Sequence, residues 1–88
     1  MSEERTGQEK GKKVRQVPPP HVYTSAAVQE LRGRLNVSQA VFADLLGVST
    51  VLVQAWEQGK RRPSHLACRL LDVISRDLST WKRFAHAA

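Results

Sequence analysis

The stretch that decides the fold is SQAVFADLLGVSTVLVQAWEQG, residues 38–59. Its apolar residues recur at the three- and four-residue spacing of a helix face, once before Gly47 and again after it. Gly47 stands where the first helix has to end, because glycine adopts the left-handed backbone conformation without steric cost. Ser38 and Ser49 each precede a helical run and can cap it through the side-chain hydroxyl. The stretch therefore predicts two short helices joined by a tight turn, the pattern of a helix-turn-helix.

Outside this stretch the same helical spacing predicts three more helices, and no useful run alternates as a strand would. A first helix over about 26–34 carries Val28 and Leu31 on one face. The two helices of the central stretch run over about 39–46 and 50–58. We therefore expect an all-α domain of five helices.

The fourth and fifth helices follow Pro63, which interrupts the chain. Ser64 can cap the fourth helix, whose core-facing residues recur at i, i+3, i+4, i+7 and i+11. These residues are Ala67, Leu70, Leu71, Ile74 and Leu78. Ser79 is predicted to cap a last short helix over about 80–86.

Composition divides the chain into a tail and one small domain. Residues 1–24 are predicted to be a disordered, basic and proline-rich tail, because their first part has too few apolar residues to offset the entropy of ordering. Three consecutive prolines, 18–20, then form a stiff spacer. Residues 25–88 are the predicted domain, and 88 residues in all leave no room for a large core.

Charge and apolar content restrict the partners. The formal net charge of +6 favours an acidic partner, of which nucleic acid is the commonest, although many small basic proteins bind no DNA. No apolar run approaches the roughly 18 residues that a membrane span needs, and the polar N-terminus lacks the apolar segment of a secretory signal. We expect a cytoplasmic protein without membrane contact. The single cysteine, Cys68, is predicted to be a buried structural thiol.

Residues for catalysis or metal binding are not arranged in any recognisable pattern. His21, His65 and His86 are scattered, and one cysteine adds no metal-ligand spacing. No serine, histidine and acid form a credible catalytic set, and no glycine-rich loop resembles a phosphate-binding loop. The sequence therefore predicts no enzyme, no metal and no cofactor.

Nine residues of the central region resemble a known family. These are Gln39, Ala43, Gly47, Val48, Ser49, Trp56, Glu57, Gly59 and Pro63. Their spacing is similar to that of the XRE/Cro family of bacterial and phage repressors, and residues 35–64 look closest to antitoxins of the HigA and MqsA kind. The resemblance covers residues 25 to about 80. It implies a lambda-repressor-like helix-turn-helix fold, and a transcription factor that also neutralises a toxin encoded beside it.

Base contacts are predicted on the outward face of the third helix. At about 100° per residue, Val53 and Trp56 point inward. The outward, base-contacting residues are then Thr50, Val51, Gln54, Ala55 and Gln58. Apolar side chains there can meet thymine methyl groups, and either glutamine can pair with adenine. Because several family members place Asn, Gln or Arg where this chain has Val51 and Ala55, we expect modest base discrimination. The alternative for Val51 and Leu52 is a subunit or toxin contact.

Phosphate contacts are predicted at the helix N-termini and in the basic loop that follows the third helix. Gln39 opens the second helix, where free N–H groups and the helix dipole favour a phosphate. In the family the matching glutamine holds the sugar-phosphate backbone; the alternative is an ordinary polar residue. The predicted phosphate-contacting residues are Ser38, Gln39, Ser49, Lys60, Arg61 and Arg62.

Two further pairs of residues receive structural or assembly roles. The resemblance implies an ion pair between Arg32 of the first helix and Glu57 of the third, since an acid on a helix that approaches DNA is expected to point away. Trp81 and Phe84 lie beyond the central motif and are candidates for dimer contacts. The alternative is that they fold back on the fourth helix.

Two functions stay open. One is a sequence-specific regulator, an autorepressing antitoxin that binds a palindromic double-stranded DNA operator as a homodimer. The other is a protein-interaction module that neutralises a toxin or other partner without specific DNA binding. The candidate docking segment for a cognate toxin lies within residues 14–24, with Val17, Val22 and Tyr23 as apolar anchors. A plain linker is the alternative for this segment.

Overall fold

The computed structural model describes residues 16–87 of the protein, and this part of the chain contains five helices and no strand. The helices are α1 (Ser25–Leu35), α2 (Gln39–Leu46), α3 (Thr50–Glu57), α4 (His65–Arg76) and α5 (Leu78–Ala85). The predicted all-α, five-helix class is therefore confirmed. The predicted bounds of α2 agree with the structure, α1 is one residue longer at each end, and α3 ends one residue earlier.

Hydroxyl caps set the start of the first four helices. Thr24, Ser38, Ser49 and Ser64 each accept a hydrogen bond from the backbone N–H three residues later, at 3.1–3.2 Å. Each bond satisfies one N–H that has no partner within its helix. The last helix differs from the prediction. It begins at Leu78 after Asp77, which makes no side-chain cap bond, so Ser79 lies inside α5 and does not cap it.

Left-handed residues end α1 and α2. Asn36 has φ 58° and Gly47 has φ 72°. In this conformation the N–H of each residue turns back to a carbonyl of the helix that it ends: Asn36 bonds Gly33, and Gly47 bonds Ala43 and Asp44. The turn between α2 and α3 therefore forms where the glycine predicts it, and it is closed further by a hydrogen bond from the Val48 N–H to the Ala43 carbonyl.

One apolar core joins the helices. Its buried members are Val28, Leu31, Leu35, Phe42, Ala43, Val53, Trp56, Leu71 and Ile74. Helix α3 packs against both α1 and α2, while α5 contacts α1, α2 and α4. The inward direction predicted for Val53 and Trp56 is confirmed, since both are buried. The core therefore fixes the rotation of α3 and decides which of its residues face outward.

The chain is already attached to the domain before α1 begins. The His21 backbone N–H donates to Asp72 Oδ2 of α4 at 3.0 Å, and the Tyr23 hydroxyl donates to Asp72 Oδ1 at 2.8 Å. Tyr23 also packs against the core. The packed part of the chain thus extends back at least to His21, whereas the predicted tail runs to residue 24. The predicted disorder of residues 1–15 lies outside the described residues.

Within residues 16–87, no single helix is long and apolar enough to cross a membrane. Helices α2 and α3 reach that length and composition only as a pair, across a bend of 112°.

Candidate nucleic-acid interface

The outward face of α3 is a mixed surface of amide and apolar side chains. Val51, Gln54 and Gln58 are exposed, and Val51 has 72% of its surface accessible. Thr50 and Ala55 are half-buried at the edges of this face. The structure therefore brings the five predicted base-contacting residues onto one side of α3 and its C-cap, with three of them exposed. Their contact with DNA stays a prediction.

The basic loop folds back on the last turn of α3. Gly59 adopts φ 75°, which turns the chain. The N–H groups of Lys60 and Arg61 then both donate to the Ala55 carbonyl, at 2.9 and 3.3 Å. Lys60, Arg61 and Arg62 are all exposed. Three cationic side chains are consequently held next to the C-terminal end of the exposed α3 face.

Ser38 and Ser49 have a defined structural role at the helix N-termini. Each hydroxyl oxygen accepts the capping hydrogen bond described above, at 3.1 Å. Both residues are exposed, and a hydroxyl that accepts one bond still has its own hydrogen to donate. Capping and phosphate contact are therefore chemically compatible at these two residues, and the phosphate contact stays a prediction.

Arg32 and Glu57 form a bidentate ion pair between α1 and α3. Arg32 Nε donates to Glu57 Oε2 at 2.6 Å, and Nη2 donates to Oε1 at 3.0 Å. Arg32 Nη1 also donates to the Val37 carbonyl at 3.1 Å. The hydrogen bond from Arg32 lowers the pKa of Glu57 and outweighs burial, which raises it. Glu57 is buried, with 8% of its surface exposed, so it points away from the outward face of α3.

Two glutamines extend this ion pair into a network over three helices. Gln39 Nε2 donates to Glu57 Oε1 at 2.9 Å, and Gln29 Nε2 donates to the Glu57 carbonyl at 2.8 Å. The Gln39 side chain is therefore held by the protein itself, and its amide has one further hydrogen available for a phosphate. Gln29 was not singled out from the sequence. Its only signal is its position one turn before Arg32, on the same face of α1.

The predicted toxin-docking residues fall into two groups. Val17 and Val22 are strongly exposed. Tyr23 is instead half-buried against the core and donates its hydroxyl hydrogen to Asp72. Burial, together with this hydrogen bond, raises the pKa of Tyr23. Tyr23 is thus engaged by its own domain, and its contact with a partner stays a prediction, as it does for Val17 and Val22.

The two aromatic candidates for dimer contacts also separate. Trp81 is half-buried and packs against the core, as the intramolecular alternative predicts. Phe84 is 67% exposed and meets the edge of Trp81, with ring centroids 6.0 Å apart and an interplanar angle of 86°. Of these two aromatic residues, Phe84 is the one that presents a large apolar surface to solvent.

In the part of the chain that the structure describes, no side chains are arranged to bind a metal ion, and the cysteine is buried. Among residues 16–87, no group of three His, Cys, Asp or Glu side chains could hold a metal ion. Cys68 is buried in α4, and its thiol donates to the Pro63 carbonyl at 3.6 Å. This is the environment of a structural cysteine.

Comparison with known proteins matches the region that carries this surface. A helix-turn-helix family model matches residues 28–71, half of the chain, from within α1 to within α4. The chain is also similar to the antitoxin HigA-2 of Vibrio cholerae serotype O1, with 34% identity over 59 residues. That alignment covers 67% of this chain and 57% of the relative, so the chain spans little more than half the length of the relative it matches. The α3 face, the basic loop and the Arg32–Glu57 pair all lie within the matched family region.

Proposed function

Since this chain belongs to the helix-turn-helix family, we propose that it is a sequence-specific DNA-binding transcriptional regulator that inserts α3 into the major groove. The observation that carries the proposal is the exposed outward face of α3, bounded at its C-terminal end by the basic loop. A major groove admits one α-helix, and the bases display thymine methyl groups and adenine hydrogen-bonding atoms there. Val51, Gln54 and Gln58 match these two kinds of group.

Phosphate contacts supply most of the binding free energy in this proposal. Arg61 and Arg62 leave α3 beside its outward face, where the sugar-phosphate backbone passes when a helix lies in the groove. At the other side, Gln39 lies at the first turn of α2, where backbone N–H groups and the helix dipole attract an anion. These contacts fix the position of the protein and carry no sequence information.

The hydrogen-bond network supports the proposal by making the interface rigid. Glu57 accepts hydrogen bonds from Arg32 and Gln39, and its carbonyl accepts one from Gln29. The base-reading helix is thereby tied to α1 and α2 before DNA arrives. A side chain that is already held loses little conformational entropy on binding.

We further propose that the protein binds a palindromic operator as a homodimer and represses its own promoter. Two copies related by a two-fold axis can place their α3 helices in successive major grooves, about one helical turn apart. Phe84 supports a dimer, because it is a large apolar side chain left exposed on the last helix. Double-stranded DNA and a second copy are the partners in this proposal.

The phosphate assignment is tested by an Arg61→Ala, Arg62→Ala double variant. If a dimer neutralises about six phosphates, the slope of log affinity against log salt is near −5, and removal of four arginines brings it to about −2. Affinity for promoter and scrambled DNA should fall alike. Arg76→Ala, an exposed cation at the end of α4, is the matched control and should leave the slope near −5. A double variant with the wild-type slope would refute the assignment.

A second function, toxin neutralisation, is favoured by the similarity to the antitoxin HigA-2 and by the exposure of Val17. In this proposal the segment before His21 binds a cognate toxin. Deletion of residues 1–20 should abolish neutralisation and retain DNA binding, because the contacts of His21 and Tyr23 with Asp72 are kept. Full neutralisation by the shortened protein would refute the role of this segment. Loss of neutralisation with unimpaired DNA binding would support it.

A further inference from the structure

An open apolar groove runs along α4, beside the C-terminal half of α3. It encloses about 450 Å³. Its apolar walls are formed by Leu46, Leu52 and Trp56 on one side and by Leu66, Leu70 and Val73 of α4 on the other. Leu66 is 82% exposed, and Val73 is exposed as well. Trp56 belongs to the core and Leu70 packs against it, whereas Leu66 and Val73 lie outside the core cluster.

The exposed wall has the spacing of a helix-binding surface. Leu66, Leu70 and Val73 stand at i, i+4 and i+7 of α4 and span about 10 Å along its axis. Amphipathic helices dock into apolar grooves through anchors at the same spacing. A small molecule is a poorer match, because ligand pockets bury most of their ligand, whereas here Leu66 is almost fully open to solvent.

The rim of the groove has charge of one sign. Arg61, Arg62 and Arg69 also line it, and none of the side chains that line it, all within residues 46–73, is acidic. A second copy seated on the same face would bring these arginines against their own counterparts, which is unfavourable. The basic helix α5, with Lys82 and Arg83, is equally unsuited to fill the groove of a second copy. The occupant that fits both the walls and the rim carries acidic residues beside its apolar anchors.

We propose that this groove is the docking site for an amphipathic helix of a partner protein, with an apolar stripe flanked by Asp and Glu residues. The apolar stripe packs between α3 and α4, and the acidic flanks pair with Arg61, Arg62 and Arg69. Two of these arginines are also the proposed phosphate contacts. This step rests on the proposed function. Because the partner helix and DNA both need Arg61 and Arg62, they exclude each other, and binding of the partner releases the operator.

The test uses a defined probe in place of the unidentified partner. A fluorescein-labelled 18-residue helical peptide carries Leu at i, i+4 and i+7 with Glu on both flanks, and a second peptide carries Lys in place of Glu. Fluorescence anisotropy with the full chain should show at least tenfold tighter binding of the acidic peptide. Equal affinity for the two peptides, or no binding of either below 1 mM (about −4 kcal/mol), would overturn the proposal.

The Leu66→Ser variant tests whether the peptide binds in the groove, because a side chain this exposed can be changed without disturbing the core. Leu66→Ser should lower the affinity for the acidic peptide at least fivefold, and Val73→Ser should do the same. Ala26→Ser changes an exposed apolar residue of α1 outside the groove and should have no effect. Circular dichroism of the three variants checks that the helices are retained. Unchanged peptide affinity in both groove variants would overturn the assignment.

Competition separates this inference from the proposed function. The acidic peptide should displace labelled promoter DNA from the wild-type protein. The peptide concentration that displaces half of the DNA should be higher for a DNA that binds more tightly. If the protein binds no promoter DNA, the proposed function fails while the peptide measurement still decides whether the groove binds a helix. A ternary complex of protein, peptide and DNA would overturn mutual exclusion.

Discussion

Arg32 on α1 and Glu57 on α3 are joined by two hydrogen bonds, at 2.6 and 3.0 Å, although 25 residues separate them in the sequence. The planar guanidinium matches both carboxylate oxygens, which is the strongest geometry for such a pair. Because Glu57 also binds Gln39 of α2, a single buried carboxylate connects the three helices that form the proposed DNA interface. The orientation of α3 depends on this carboxylate as well as on the apolar core.

Replacement of Glu57 should strongly destabilise the protein. Glu57→Ala leaves Arg32 without its anion and Gln39 without its acceptor, and the removal of one partner of a buried pair costs about 3 kcal/mol or somewhat less where the other partner reaches solvent. Urea denaturation followed by circular dichroism gives this free energy of unfolding. Glu30 is an exposed acid on α1, the helix that carries Arg32. Glu30→Ala is the control and should change stability little. Equal stability of the two variants would contradict the structural role of Glu57.

Stability should decrease on acidification because of Asp72. Burial alone raises the pKa of Asp72, but hydrogen bonds from the His21 N–H and the Tyr23 hydroxyl, together with the His21 ring, outweigh burial and lower it to about 2. A folded-state pKa below the ordinary value of 3.8 means that the ionised form stabilises the fold. This contribution is complete above about pH 4 and is lost as the pH falls toward 2, by about 2 kcal/mol.

The measurement for Asp72 is a series of urea unfolding curves from pH 7 to pH 2. The wild-type protein should lose more stability between pH 4 and pH 2 than an Asp72→Asn variant, because an amide does not titrate. The variant should be less stable than the wild type at pH 7. Parallel curves for the two proteins across the acidic range would show that Asp72 does not contribute to acid unfolding.

Val51 should read thymine through its methyl group. Deoxyuridine lacks only this methyl, and burial of one such group stabilises a complex by about 0.8 kcal/mol, or roughly fourfold in affinity. Single thymines along the operator are therefore replaced by deoxyuridine, one position at a time. At the contacted position the affinity of the wild-type protein for the operator should fall about fourfold. A Val51→Ser variant should be insensitive to the same replacement. Equal sensitivity of both proteins would place the methyl contact elsewhere.

Phe84 should control self-association. If the proposed dimer forms through the exposed Phe84 ring, Phe84→Ser should shift the protein from dimer to monomer in sedimentation equilibrium. Leu66→Ser removes an apolar side chain of greater exposure from the basic groove and should leave the dimer intact. A wild-type monomer, or a Phe84→Ser protein that stays dimeric, would exclude this interface.

Local patterns predicted the helices because their signals are local. Serine hydroxyls cap α2, α3 and α4 as expected, and Gly47 ends α2 in the left-handed conformation. The rotation of α3 followed from helical periodicity, which places Val53 in the core. Ser79 does not cap α5 because the helix begins earlier, at Leu78, which packs against the core.

Contacts between distant residues could not be predicted in this way. Asp72 binds His21 and Tyr23 across 51 and 49 residues, and no local pattern distinguishes an exposed aspartate from a buried one on a helix. Gln29 reads as an ordinary surface residue until α3 is placed beside it. The groove could not be predicted from the sequence either. The spacing of Leu70 on α4 suits a core face, and only the packing of the helices shows that one side of the groove stays open.

The most direct test of the proposed function is the affinity of the purified protein for DNA from its own promoter and for scrambled DNA, measured by fluorescence anisotropy over a salt series. The proposed function predicts a preference for the promoter of about 100-fold or more, with affinity that falls steeply as salt rises. Equal, weak affinity for both DNAs would contradict it, and would mean that the basic loop attracts nucleic acid without α3 reading a sequence.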